Sequence, residues 1–578
     1  MDIYTSAVNQ LKKAITSAIE KAIENGVLPK AEIPLFIIET PADKSHGDFA
    51  TNAAMAGAKA FHMPPFKIAQ AITSNLELSG TMFERFETAG PGFINFFLGT
   101  EFYSNVIREI LTNPQHYGRS EFGRDEKVMV EFVSANPTGP MHMGNARGGA
   151  LGDCLAAVLN KAGYNAWREF YVNDAGNQIE KFGCSLEARY LQIYKGDEIE
   201  FPEDGYQGAD ITDLAKEYAD INGDKLLDLP SNERKKELVS YALPKNIGKM
   251  QSDMEKYKIY YDKWFFESEL HQSGAVKAVV DLLTEKGLTY EKEGAIWYKN
   301  KQVLTEKLLN EGKTQDYIDN LELKDDVLIR NNGNPTYFAA DIAYHKNKFD
   351  RGFTTLIDVW GADHHGHVMR MKGAMDAIGY AGDKLNVVLM QLVKLVKGGE
   401  LVKMSKRTGK AIQLCDLLDE VPVDSARFLF NTREANTQMD FDLDLAVSQD
   451  NQNPVYYVQY AHARICSILK ALANEGIHPR DCSDNELALL IAPEERELIN
   501  HLALYTNEII NAAKDYDPTK ITRYVTQLAT LFHKFYNACR VKGENEGLVQ
   551  ARLALCQCVK AVIKNVLTMF NISCPDAM

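Results

Sequence analysis

The sequence predicts an α/β protein: a doubly wound parallel sheet, preceded by a small α+β domain and followed by an all-helical one. Three observations predict it. A β-rich run at 128–133 enters a Pro/Gly loop and then a helical pattern with Leu151, Leu155, Val158 and Leu159 on one face, ending near Gly163. The strand–loop–helix pattern recurs at 327–330 with a helix from about Tyr337, and at 354–360 with a helix from about His367. Such alternation argues for parallel strands with helices on both faces and ligands at the carboxyl ends of the strands. The third observation is length, since 578 residues of ordinary composition, 45% hydrophobic and 25% charged, exceed what one core holds.

The elements follow in chain order. Val8, Leu11, Ile15, Ala18, Ile19, Ala22 and Ile23 fall at helical spacing and Asn25-Gly26 supplies a left-handed stop, so the chain opens with an amphipathic helix. Segments 34–39 and 90–98 read as strands with turn punctuation, giving an α+β domain over about 1–110. The parallel-sheet domain spans about 120–440, and 175–320 reads as a long helical insertion within it. After Pro422 the pattern is almost wholly helical, with Asn453-Pro454 as a helix start, and 441–578 forms the last domain.

Charge limits the partners. The formal net charge is -15, from 64 Lys plus Arg against 79 Asp plus Glu, which excludes a basic coat holding polyanions non-specifically. The excess of acid lies in residues 1–450, because 451–578 holds 13 basic and 13 acidic residues. Within that neutral tail, 514–564 holds 9 basic and 4 acidic residues, a local basic stretch. The nine cysteines are scattered without a CxxC pair, which suits a reducing compartment. The N-terminus lacks the basic-then-apolar pattern of a signal peptide, and no apolar run approaches the ~18 residues that span a bilayer. A cytoplasmic protein without a membrane partner is expected.

Two loops carry chemistry. The first, 131–148, places His142 and Asn145 at the start of a helix, where free N–H groups and the helix dipole favour phosphate. Taken alone it reads equally as a Pro/Gly turn capped by His142. The second, 401–409, reads Leu-Val-Lys-Met-Ser-Lys-Arg-Thr-Gly and puts Lys403 and Lys406 on a glycine-flanked turn. Lysines on a mobile loop can follow negative charge onto a departing pyrophosphate. A lone loop of this kind is commonly a solvated turn; downstream of a His-x-Gly loop in an α/β protein it is far more specific.

With His142-Met-Gly-Asn145 as a HIGH-type motif and 403–407 as a KMSKS-type motif, the sequence resembles the class I aminoacyl-tRNA synthetases, and among them the bacterial-type arginyl-tRNA synthetase family. Segments 47–51, 131–153, 171–178, 335–342, 360–366 and 453–460 carry the resemblance in the family's order along most of the chain. It implies a Rossmann-like catalytic core, ATP and Mg2+ as cofactors, L-arginine and tRNA(Arg) as partners, and a monomer. It implies catalytic roles for His142, Lys403 and Lys406, and ATP contacts from His142, Gly144, Asn145, Gly361, Asp363 and Met404. Asn145 stands where the family usually has a second histidine; it keeps a hydrogen-bond donor but cannot become cationic.

A guanidinium presents five N–H donors and wants carboxylates in fixed geometry. Tyr337 and Asp341 are i and i+4, on one face of the predicted helix. By resemblance they contact the guanidinium, with Glu131 and Asn136 holding the guanidinium and the amino-acid head. Without that context Asp341 is a surface carboxylate and Tyr337 a core aromatic. The cluster Asp363, His364, His365 and His367 offers metal ligands, yet nucleotide contacts are the preferred reading and no metal site is expected there.

In the tail, Tyr457, Tyr460 and Arg464 lie at helical spacing, and Arg523, Lys534 and Arg540 add basic positions. Aromatic stacking with phosphate contacts is how proteins read single-stranded RNA loops; the tyrosines equally suit a helix-bundle core. The rival readings are another class I synthetase, a catalytically idle tRNA-binding paralogue, and a small-molecule nucleotidyltransferase. The carboxylates 131 and 341 argue against the first, His142, Lys403 and Lys406 against the second, and the two flanking domains against the third.

Overall fold

The computed structural model describes residues 2–402, 412–543 and 545–578, apart from the side chains of Lys44 and Asp197. The expectations at Lys403, Met404 and Lys406 lie outside the described residues.

The opening helix, Ile3–Glu24, buries Ala7, Leu11, Ile15, Ala18, Ile19 and Ala22 and ends at Asn25, as the spacing predicts. It packs by an antiparallel sheet in the order Ile38–Glu39, Phe49–Thr51, Phe93–Leu98, Phe83–Ala89. The expected strand at 34–39 shrinks to its last two residues, because only Ile38 and Glu39 find a partner strand. Gly47, at φ 85°, sits where a Cβ would meet the Phe96 carbonyl at 2.7 Å, so only glycine fits. Its neighbour Asp48 accepts from the Leu98 N–H at 2.9 Å and from Asn500 Nδ2 at 3.1 Å, tying this domain to the C-terminal helices.

The centre is a five-stranded, wholly parallel sheet built from β1 (Lys127–Glu131), β2 (Asn165–Val172), β3 (Lys263–Phe266), β4 (Thr355–Gly361) and β5 (Leu385–Met390), in the order β5-β4-β1-β2-β3. The chain runs outward from β1 on one side and from β4 on the other, so the switch in strand order falls between them. Three segments differ from the sequence-based expectation. The 327–330 strand is not in this sheet: Asp326–Ile329 pairs antiparallel with Ala295–Tyr298, which pairs with Thr289–Lys292. The 175–320 stretch is helical at Asn177–Lys195, Ala209–Asn222 and Ser231–Lys256, but then returns to the parallel sheet as β3. Short apolar runs do not declare their partners, and β3 has only four residues. In the largely helical stretch after Pro422, Met439–Asp442 is a strand, pairing parallel with Val393–Lys397.

Seven helices matter below: α1 (Gly144–Lys161), α2 (Glu267–Gln272), α3 (Tyr337–Asp350), α4 (His365–Ile378), α5 (Pro454–Asn474), α6 (Thr519–Ala538) and α7 (Glu546–Met569). Asn453 caps α5 through the Val455 N–H, as expected of an Asn-Pro start. The buried Arg427 binds the domains together: it pairs with Asp153 of α1, which also accepts from Arg168 Nε at 2.6 Å, and donates to the Phe570 carbonyl after α7 at 2.7 Å. No helix among the described residues is long and apolar enough to cross a membrane.

Candidate active site

The carboxyl ends of four parallel strands converge. After β1, Val133 and Ser134 both adopt positive φ, 71° and 45°, a strained pair for non-glycine residues. Ser134 Oγ secures the turn by donating to Glu131 at 2.8 Å and accepting from the Tyr171 N–H of β2 at 3.2 Å. The loop then reaches α1. His142 Nδ1 accepts from the Gly144 N–H at 3.0 Å, and a Cβ at residue 144 would stand 3.2 Å from that nitrogen, which accounts for glycine there. With Nδ1 as acceptor, the neutral imidazole carries its proton on Nε2, and His142 is exposed. The cap and the available donor thus coexist in one side chain. Gly144 and Asn145 are half-buried in the first turn, and Asn136 is exposed on the same loop.

The described chain resumes beside this loop. The Met143 N–H donates to the Ile412 carbonyl at 3.0 Å, the Leu414 N–H to the Met141 carbonyl at 2.8 Å, and His142 bridges Gln413. Arg147, nearly fully buried, donates to the carbonyls of Gln391, Thr437, Arg433 and Glu434 at 2.7–3.3 Å, and burial pushes its guanidinium down to about 10. One side chain thereby fixes the first turn of α1 against the segments on either side of 403–411.

Beneath the site lies a row of buried carboxylates. Asp358 of β4, Glu131 of β1 and Glu169 of β2 are level in the register of the sheet. A single helix neutralises them. Lys348 Nζ of α3 lies 2.5 Å from Glu131 and 2.8 Å from Asp358; His345 Nε2 lies 2.7 Å from Asp358; Tyr344 Oη donates to Glu169 at 2.8 Å, and Arg351 makes two bonds to it at 2.6 and 2.7 Å. Lys348 and His345 hold Asp358 down at about 2, whereas burial outweighs them at Glu131 and raises its carboxyl. Glu131, His345 and Asp358 are close enough to share a metal ion, but the Lys348 ammonium already bonds two of them.

The same helical face carries Asp341 and Tyr337 one and two turns nearer the N-terminus of α3. Asp341 Oδ2 lies 3.1 Å from His367 Nε2 of α4, and Tyr337 is 41% exposed. Glu267, at the head of α2 after β3, completes an acidic neighbourhood that the sequence reading missed. It is buried, it lies 3.2 Å from His271 Nε2, and burial with the nearby charge of Asp341 raises its carboxyl. Asp174 fixes the strand end by accepting from the Ser268 N–H at 2.9 Å and its hydroxyl at 2.6 Å. Burial pushes the Tyr171 hydroxyl up, and the charges of Glu267, Asp341 and Glu131 add to it. A single glutamate directly after an unrecognised four-residue strand left no spacing signal to find.

Gly361 ends β4, and Asp363 is exposed in the turn that follows. The three histidines there diverge: His367 faces Asp341, His364 faces Asp363, and His365 lines a cavity with Lys307 and Asp326. In the C-terminal helices, Tyr460 of α5 stacks on His533 of α6 at a ring-centre distance of 5.9 Å, Tyr457 meets the same ring tilted at 5.1 Å, and the Arg464 guanidinium lies 4.4 Å from the Tyr536 ring. Lys534 pairs with Glu497 at 2.7 Å, Arg523 stands 3.9 Å from Glu434, and Arg540 is exposed.

These strand ends, the His-x-Gly helix start and the parallel order define a class I tRNA synthetase core. The model of the class I (R) tRNA synthetase catalytic domain matches residues 106–465. On either side, the arginyl tRNA synthetase N-terminal domain matches 9–98 and the DALR anticodon binding domain matches 458–578. The chain belongs to the arginyl-tRNA synthetase family. It is 53% identical to the arginine–tRNA ligase of Ruminiclostridium cellulolyticum and 52% identical to that of Acetivibrio thermocellus, each over 579 aligned residues covering 100% of both chains. The fold also matches the Thermus thermophilus arginyl-tRNA synthetase structure with a TM-score of 0.71 at 22% identity, over 98% of this chain and 100% of that one.

Proposed function

We infer that the chain is an arginine–tRNA ligase, which activates L-arginine with ATP and transfers it to the terminal adenosine of tRNA(Arg), releasing AMP and diphosphate. The observation that carries the choice of amino acid is the pair Glu267 and Asp341, two carboxylates brought within each other's field at the strand ends. Burial and the nearby charge of Asp341 raise the Glu267 carboxyl, and a guanidinium placed between the two carboxylates relieves that repulsion. Tyr337 stands at the mouth of this pocket. Glu131 has one oxygen on Lys348 and the other on Ser134, so its part is to hold the loop that bears Asn136, at the amino-acid head, more than to meet the guanidinium.

The chemistry needs no protein nucleophile. The arginine carboxylate attacks the α-phosphorus and diphosphate leaves; a ribose hydroxyl of the tRNA then attacks the carbonyl and AMP leaves. Catalysis is in-line positioning with stabilisation of phosphate charge. His142 donates from Nε2, held in that orientation by the Gly144 N–H; Asn145 offers its side-chain amide at the start of α1, Gly361 and Asp363 border the nucleotide, and Lys403 and Lys406, with Met404 between them, supply positive charge to the departing diphosphate. Mg2+ needs few protein ligands when phosphate oxygens and water supply the rest; the exposed Asp363 is a carboxylate suited to it, and the ion's role is to offset phosphate charge. Tyr457, Tyr460 and Arg464 offer a stacking platform for the anticodon region, with Arg523, Lys534 and Arg540 beside it. A cytoplasmic monomer completes the reading; all nine cysteines are free. Charging a total tRNA pool with each amino acid in turn, ATP present, tests it: arginine alone is expected to be charged, and charging of another amino acid, or of none, would overturn it.

A further inference from the structure

A second cavity, of about 1090 Å³, lies at the amino ends of the parallel strands, away from His142, Asp341 and Glu267. Asp125, just before β1, and Asn165, the first residue of β2, mark its floor. Its walls come from three distant parts of the chain: residues 111–125, the last turns of α1, and α7 with Leu469 of α5. It is unusual for its charge. In a chain of net charge -15, Arg119, Lys161, Lys560, Lys564 and His116 converge there against the single carboxylate of Asp125.

Among the described residues these cations are poorly paired. Lys560 reaches Asp576 only at 4.0 Å, and among the described residues no carboxylate lies within 4 Å of Arg119, Lys161 or Lys564. Lys161 is half-buried with Arg119 as its charged neighbour, and burial and like charge push its ammonium down to about 8. Convergent cations without counterions raise the folded state's energy unless an anion joins them. Lys560 and Lys564, the end of the basic stretch at 514–564, therefore face the catalytic domain rather than the Tyr457–Tyr460 platform.

The remaining walls are apolar or aromatic, from Leu111, Ala157, Tyr164, Leu469 and Met569, with amide groups of Asn160 and Gln557 between them. An RNA backbone tracks an extended basic strip; a concave pocket with one cationic cluster and an apolar wall suits a compact ligand. We propose that this cavity binds a small phosphorylated aromatic molecule of mononucleotide size, its phosphate held by Arg119, Lys161 and Lys564 and its ring against Tyr164 and Met569.

Pyridoxal 5′-phosphate tests this on the full chain. Its aldehyde condenses with the neutral amine of Lys161 with loss of water, borohydride reduces the imine, and peptide mapping locates the label. Labelling of Lys161 is expected to be about tenfold or more faster than with pyridoxal, which lacks the phosphate, because a charge-assisted contact gives at least that factor. AMP is expected to protect Lys161. In Arg119→Gln the preference for the phosphorylated aldehyde is expected to fall several-fold with aminoacylation unchanged. Equal labelling by the two aldehydes, no labelling of Lys161, or an unaltered preference in Arg119→Gln would overturn the proposal. So would protection by tRNA without protection by AMP, which would make the surface an RNA contact.

Discussion

Replacing Lys348 by methionine removes the ammonium that holds two carboxylates while keeping most of the side-chain volume. Lys348 is fully buried, 2.5 Å from Glu131 and 2.8 Å from Asp358. Asp358 retains His345 at 2.7 Å, so its charge can be met by an imidazolium; Glu131 retains only the Ser134 hydroxyl at 2.8 Å. Its cheapest recourse is to take up a proton. Protonating a carboxyl of ordinary value near 4.3 at pH 7.5 costs about 4 kcal/mol, and at pH 6.0 about 2 kcal/mol. That agrees with the ~3–5 kcal/mol measured when one partner of a buried pair is removed. The sign follows from linkage: in the variant the folded chain binds the proton that the unfolded chain lacks, so stability recovers as pH falls from 7.5 toward 6. In the wild type, Asp358, held at about 2, contributes stability above about pH 4 and loses it only as pH falls toward 2. Urea unfolding followed at pH 7.5 and 6.0 measures the difference. A loss under about 1 kcal/mol, or one equal at both pH values, would refute the view of this row as compensated buried charge.

Asp341→Ala is expected to raise the KM for arginine strongly while leaving that for ATP near the wild-type value, in steady-state aminoacylation; an unchanged arginine KM contradicts the pocket. Lys406→Ala is expected to lower kcat far more than it weakens ATP binding, since the lysine is read as a contact of the transition state, and equal losses would count against that role. His533, between Tyr457 and Tyr460, is pushed down to about 4 by burial and the nearby Arg464. Its imidazole should titrate by NMR near pH 4, with stability falling as pH drops from about 6.5 toward 4 because the unfolded chain takes the proton first; a midpoint near 6.5 would place it in solvent.

What the sequence disclosed and what it withheld divide along chain distance. The His142 loop, the α1 stripe and the Asn453 cap are local patterns, readable because cause and effect lie within a turn or two. The partner of Glu131 was illegible for the opposite reason: Lys348 lies 217 residues away, and nothing at either position announces the other. The strand at 326–329 had the right local character for the parallel sheet, yet its pairing with 295–298 is a tertiary fact. Glu267 was hidden by the same effect, since a four-residue strand inside a helical stretch gives no periodicity to count. The row Asp358, Glu131 and Glu169 emerges only from register. Once it is known, the α3 sequence Tyr344-His345, Lys348 and Arg351 reads as its complement at helical spacing.

We propose that the carboxylates of Glu267 and Asp341 together select a guanidinium for ligation to tRNA. Citrulline has nearly the same shape as arginine but a neutral ureido end, so it leaves Glu267 and Asp341 without a cation. The ratio of kcat/KM for arginine and citrulline in tRNA charging measures this directly. Arginine is expected to be favoured by about 10⁴-fold or more, the range for sites whose buried polar groups go unpaired with the wrong substrate. Discrimination within about tenfold, the scale of a shape effect alone, would contradict it.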